Sequence, residues 1–119
     1  VTNRDAGGDK ADTTNNPNLY ICRYVLVAER QIDARTWEYT LSAELTNTGA
    51  AVAAVRATLN GLPRGNTIND GVLTFGSMAS GETVRSVDTI TFRRATQLTN
   101  PTGYMRTNGK WGVVVTPAP

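Results

Sequence analysis

The chain has 119 residues, which is the length of a single domain. Hydrophobic residues make up 39% of it and charged residues 18%, so it can build a core and does not have the composition of a disordered segment. The net charge of +2 is too small to indicate a nucleic-acid partner. The longest nearly apolar run, residues 50–55, is far shorter than the roughly 20 residues that cross a bilayer. We therefore expect a globular domain with no nucleic-acid partner and no membrane insertion.

Histidine is absent, and cysteine occurs once, at Cys22. Without histidine the chain has no Ser-His-Asp or Cys-His arrangement and no ordinary zinc site. We therefore expect a non-catalytic protein. Cys22 has no partner for an intramolecular disulfide and lies in the apolar run 20–27, where a cysteine usually acts as a small buried side chain.

The cations are unevenly divided, because only Lys10 and Lys110 are lysine and the rest are arginine. Compositional bias accounts for such an excess. The alternative is a surface that holds anionic ligands, since the planar guanidinium suits carboxylates and phosphates.

The chain begins with a polar segment that differs from the rest. We divide the whole chain into a polar N-terminal extension over residues 1–18, a β-domain over residues 19–116 and a Pro-rich terminus over residues 117–119. A segment with so few apolar residues does not bury enough surface to offset its ordering entropy. Contact with its own domain, an ion or a neighbouring chain would be needed to order it.

Three carboxylates in this extension form a candidate calcium site. Asp5, Asp9 and Asp12 lie around the glycines at positions 7 and 8, and calcium prefers several oxygen ligands in flexible geometry. The D-x-D-x-D-G pattern of an EF-hand is absent. The alternative is a solvated segment without a metal, in which case the protein has no cofactor.

From residue 20 onward, apolar residues recur at every second position, which is typical of strands. The clearest strand covers residues 37–45, where five apolar residues alternate with polar ones, and it ends at a turn that begins at Asn47. The first strand is predicted to place Tyr20, Cys22, Tyr24 and Leu26 on one face, and it is apolar on both faces. No segment shows a convincing amphipathic helix. That first strand is predicted over residues 20–29. Further strands are predicted over residues 55–59, 72–75 and 83–93, the last with a bulge that turns Val87 inward.

The pair Asn108-Gly109 predicts a hairpin, because it is preferred in two-residue type I′ turns. This turn would pair Tyr104 with Val113 and direct Trp111 toward the core. About seven short strands without crossover helices indicate an all-β fold, an antiparallel β-sandwich.

Three passages carry signatures of strands and their turns: residues 45–52, in which a strand ends at Asn47-Thr48-Gly49, the strand over residues 72–76, and the turn Ala79-Ser80-Gly81-Glu82-Thr83 that leads into the next strand. Together they resemble bacterial immunoglobulin-like accessory modules of secreted or cell-surface proteins. The resemblance covers about residues 20–115. It implies an immunoglobulin-like sandwich in an extracellular or cell-surface bacterial protein, where such modules act as spacers, adhesive modules or carbohydrate binders.

The main functional hypothesis is a non-catalytic extracellular module that has a structural, adhesive or assembly role. One alternative is a carbohydrate-binding module of a secreted enzyme, with a polysaccharide as partner. Its candidate residues are Tyr104, Trp37, Trp111 and Asn100, of which Tyr104 is expected to be exposed, whereas both tryptophans also fall on predicted inner faces. Another alternative is a subunit of a filament or shell whose residues 1–18 contact a neighbouring protein subunit.

Overall fold

The computed structural model describes residue 16 and residues 18–118 of the chain. Within them, eight strands form two antiparallel sheets that pack as a sandwich, and one short helix lies outside the sheets. This confirms the predicted all-β, antiparallel sandwich, with eight strands where about seven were expected. The elements are β1 (Leu19–Asp33), β2 (Thr36–Asn47), β3 (Val52–Gly61), β4 (Asn66–Asp70), β5 (Val72–Phe75), β6 (Thr83–Arg85), β7 (Ile90–Arg94), α1 (Pro101–Asn108) and β8 (Lys110–Pro117).

The larger sheet has the strand order β1-β2-β7-β4, and β6 pairs with the end of β2 that β7 leaves uncovered. The smaller sheet has the order β5-β3-β8. The alternation predicted for β2 is confirmed, since its inward residues Tyr39, Leu41, Ala43 and Leu45 are fully buried. The predicted inward side chains of β3 are buried as well. Burial of one face of each sheet therefore accounts for the period of two in the sequence.

The predicted Asn108-Gly109 hairpin is wrong. Residues 101–108 form α1, and Gly109 has φ −69° and ψ 134° in place of the positive φ that a type I′ turn requires. Asn100 caps the helix by accepting a hydrogen bond from the Gly103 amide at 3.1 Å. Pro101 fits the first turn because amides there have no partner within the helix, so the missing N–H of proline costs nothing. β8 pairs with β3, so the predicted pairing of Tyr104 with Val113 does not form.

The single strand predicted over residues 83–93 is also wrong. The chain forms two strands there, and Val87 between them is 77% exposed. Ser86 is the buried residue: its hydroxyl accepts a hydrogen bond from the Ala43 amide at 3.2 Å and donates to the Asp88 carbonyl at 2.8 Å. Because these bonds satisfy the serine, burying it costs little and no bulge has to bring Val87 inward.

The faces predicted for β1 are wrong beyond its first residues. A register shift between Ile21 and Arg23 makes Cys22 an extra residue in the strand, and a bulge of this kind exchanges the two faces. Tyr24 and Leu26 are therefore buried with Ile21, whereas Cys22 is only half-buried.

Both ends of the described chain lie at the same end of the sandwich. Leu19 at the start of β1 pairs with Asn47 at the end of β2, and Pro117 at the end of β8 pairs with Val52 at the start of β3. Only residues 48–51 separate Asn47 from Val52. We call this the proximal end. The opposite, distal end is formed by the β1–β2 turn, residues 62–65, and the segment from residue 95 through α1, and the described molecule measures 51 × 24 × 21 Å.

Candidate functional site

Trp111, a candidate sugar platform, lies in the core. It is 5% exposed on β8, and its indole N–H donates a hydrogen bond to the Tyr24 hydroxyl at 2.8 Å. The two rings stack with their centroids 6.5 Å apart. Its ring therefore supports the packing of β1 against β8 and offers no open face to a ligand.

Tyr104 is half-buried, not exposed as the sequence predicted. It lies on α1, which directs the ring toward the core, where it stacks with Phe92 at a centroid distance of 6.4 Å. The Arg94 guanidinium lies over the ring at 4.8 Å, and Asn66 donates a hydrogen bond to the hydroxyl at 2.7 Å. The ring is thus engaged by its own domain.

The structure does not gather the four carbohydrate candidates into one site. Asn100 and Tyr104 line one shallow cleft beside α1, but the Asn100 carboxamide oxygen is occupied by the Gly103 amide. Trp37 is half-buried at the start of β2 and packs against the core. Trp111 lies in a different part of the core, against Tyr24.

The calcium candidates Asp5, Asp9 and Asp12 lie outside the described residues. In the part of the chain that the structure describes, no group of three His, Cys, Asp or Glu side chains is placed to hold a metal ion. Within the same residues, no helix has the length and apolar character of a membrane span.

The distal end carries an arginine cleft that sequence analysis did not locate. Arg35, Thr36, Thr67 and Arg93 line it, together with the backbone at Gly65 and neighbouring residues, and its volume is about 180 Å³. Arg35 is exposed in the β1–β2 turn, where its amide donates to the Asp33 carboxylate at 2.8 Å. The excess of arginine over lysine in the sequence indicated an anion-binding surface as one alternative, but it did not show which arginines would form it.

The pairing of three strands brings these side chains to one surface. Phe92 is buried, so the next residue, Arg93, lies on the outer face of β7. Thr67 pairs with Arg93 across β4 and β7. Thr36 begins β2 beside them, and Gly65, with φ +99°, allows the chain to turn into β4.

Glu38 holds Arg93 beside the cleft. Its carboxylate accepts hydrogen bonds from the Arg30 Nε at 2.8 Å and the Arg93 Nε at 2.9 Å, and the side chain is only 13% exposed. The hydrogen bond from Arg30, followed by that from Arg93, lowers the pKa of Glu38 below its usual value despite the opposing effect of burial. The carboxylate therefore stays ionised and fixes one edge of the Arg93 guanidinium.

Arg94 lies at the same cleft, but its guanidinium is engaged elsewhere. It bonds the carbonyl and hydroxyl of Thr96 at 2.8–3.3 Å and covers the Tyr104 ring. The cleft thus offers the guanidinium groups of Arg35 and Arg93 and the hydroxyls of Thr36 and Thr67. Such a set can bind an oxyanion and neighbouring hydroxyl groups.

Comparison with family models, with curated proteins and with solved structures found no match to this chain.

Proposed function

We propose that the chain is a non-catalytic adhesive module of an extracellular protein, attached through its proximal end and binding through its distal end. The observation that carries this proposal is the position of Leu19 and Pro117 at the same end of the sandwich. Both ends of the described chain lie at the proximal end, an arrangement that suits attachment there and ligand contact at the distal end. The turn resemblance to bacterial immunoglobulin-like modules supports the extracellular setting.

The packing of Trp111 and Tyr104 within the domain argues against an aromatic platform for sugar rings and favours adhesion by other groups at the distal end. Trp111 is buried against Tyr24, and Tyr104 is engaged by Phe92 and Arg94. A platform for a sugar ring needs an open aromatic face, which these two residues do not provide.

The edge of β1 argues against assembly by strand pairing. Among the residues that the structure describes, β1 is an edge strand of the larger sheet. Its pairing with β2 shifts register between Ile21 and Arg23, between Leu26 and Ala28, and between Gln31 and Asp33. Bulges distort an edge and hinder a second chain from adding to it. We therefore favour adhesion over a filament or shell built on this edge.

Two measurements on the full chain test the proposal. The first is retention on a panel of immobilised neutral and charged polysaccharides, where saturable binding to at least one polymer is expected. The second is sedimentation velocity across a range of protein concentrations, where a monomer is expected. No retention on any polymer would contradict adhesion, and concentration-dependent growth into large species would support assembly.

A further inference from the structure

We infer that the distal arginine cleft binds the carboxylate of a uronic-acid unit in an acidic polysaccharide. This inference rests on the proposed adhesive function and names its class of ligand. The cleft consists of Arg35, Arg93, Thr36 and Thr67 with the backbone at Gly65.

The cleft contains two guanidinium groups, and each has N–H donors that bond to no described residue of the domain. The Arg35 side chain forms no ion pair with any residue that the structure describes. Arg93 is bonded to Glu38 through Nε, which leaves its terminal nitrogens for another acceptor. A guanidinium presents paired N–H donors whose spacing matches the two oxygens of a carboxylate.

The rest of the cleft suits a sugar better than a nucleotide. The hydroxyls of Thr36 and Thr67 have no hydrogen-bond partner among the described residues, so they can bond to ring hydroxyls. No aromatic side chain lines the cleft, although recognition of single-stranded nucleic acid depends on stacking of bases on aromatic rings. A carboxylate beside several hydroxyls is the chemistry of a uronic acid.

The ligand is expected to be a polymer because each contact is weak. Exposed pairs between arginine and carboxylate contribute little, since water and salt screen them. A polymer with a carboxylate on every unit keeps a high local concentration of ligand around the cleft. A volume of about 180 Å³ in an open cleft is suited to one unit of such a chain.

The test measures binding of the full chain to soluble polygalacturonate by titration calorimetry. Arg35→Ala and Arg93→Ala are each expected to weaken binding about three- to fivefold. The matched control is Arg56→Ala, which removes the same charge from an exposed position on β3 outside the cleft. Its affinity is expected to stay within about twofold of wild type. Raising the salt concentration is expected to weaken binding of the wild type.

Three further probes separate the sources of the anion. Dextran is neutral, dextran sulfate carries sulfates on a sugar, and polyglutamate carries carboxylates without a sugar. Weaker binding to all three than to polygalacturonate supports the inference. Binding of dextran sulfate but not polygalacturonate would overturn the carboxylate assignment, and equal binding of polyglutamate would overturn the uronic-acid assignment.

The outcomes also distinguish this inference from the proposed function. Equal binding of dextran and polygalacturonate would leave adhesion standing and overturn the arginine cleft as its site. Equal losses of affinity in Arg35→Ala and Arg56→Ala would also overturn the arginine cleft as the binding site, because that result indicates a general effect of charge. Arg35 is exposed and makes no ion pair with a described residue, so its variant is expected to melt at the wild-type temperature, which keeps its binding result interpretable.

Discussion

Asn47 ties together two turns at the proximal end. Its side chain is 1% exposed; the amide donates to the carbonyls of Ala50 at 2.9 Å and Ala79 at 3.4 Å, and the carbonyl oxygen accepts from the Gly49 amide at 2.9 Å. The sequence identified Asn47-Thr48-Gly49 as a turn, because asparagine commonly bonds to the backbone two residues later. The contact with Ala79 could not be read from that local pattern.

Asn47→Ala is expected to lower the free energy of unfolding by about 2–3 kcal/mol, because it removes the three hydrogen bonds made by a buried side chain. Urea denaturation followed by circular dichroism measures this change. Asn69→Ala is the matched control, since Asn69 is exposed in β4, and it is expected to change stability by less than about 0.5 kcal/mol. Equal effects of the two substitutions would show that the turn does not depend on the Asn47 side chain.

At the scale of the elements, one row of charges connects three strands of the larger sheet. Arg30 on β1 and Arg93 on β7 both bond to Glu38 on the strand between them. Period-two alternation placed Glu38 on the polar face, but it did not show which cations would lie beside it. The partners are set by the register of β1 with β2 and of β2 with β7.

Glu38→Gln is expected to remove a pH-dependent part of the stability. Because the pKa of Glu38 is lowered in the folded state, its contribution is complete above the usual value of 4.5 and is lost as the pH falls through the folded value. The variant is expected to be about 0.5–1 kcal/mol less stable than wild type at pH 7, as for a partly screened ion pair. This difference is expected to vanish at the acidic end of a series of melting curves.

The matched control for this pH series is Glu44→Gln, which removes a carboxylate from the outer face of the same strand. Glu44 lies 3.9 Å from Arg23, so its ion pair is longer and a smaller loss at pH 7 is expected. A difference between Glu38→Gln and wild type that stays constant from neutral to acidic pH would contradict the role assigned to Glu38.

The short helix shows where local pattern and tertiary structure disagree. Asn108-Gly109 is a strong hairpin signal, yet it ends a helix whose N-cap is Asn100. Tyr104 and Met105 pack from this helix against the core. A helix of eight residues has too few periodic positions to be recognised by its periodicity. The pair Asn100-Pro101 is a local signal of its start, and the packing of Tyr104 and Met105 against the core stabilises the helix.

At the scale of the whole molecule, the proposed function predicts that blocking the distal end abolishes adhesion. A bulky maleimide polymer attached at Ala34→Cys, in a Cys22→Ala background, is expected to prevent polysaccharide binding because residue 34 adjoins Arg35. The same label at Ala51→Cys, in the turn at the proximal end, is expected to leave binding unchanged. Both positions are exposed. Calorimetric titration of the labelled and unlabelled proteins provides the comparison, and equal loss from both labels would contradict a distal binding site.

The sequence by itself determined the sandwich, the burial of alternate residues in β2 and β3, and the turn at Asn47, because alternation and turn chemistry are properties of neighbouring residues. Tertiary structure decided the helix, the change of face at Cys22 and the arginine cleft. Arg35 and Arg93 are distant in the chain, and they meet only because β7 pairs with β2 and β4. Strand pairing between distant segments depends on how the two sheets close over a shared core, which no local pattern encodes.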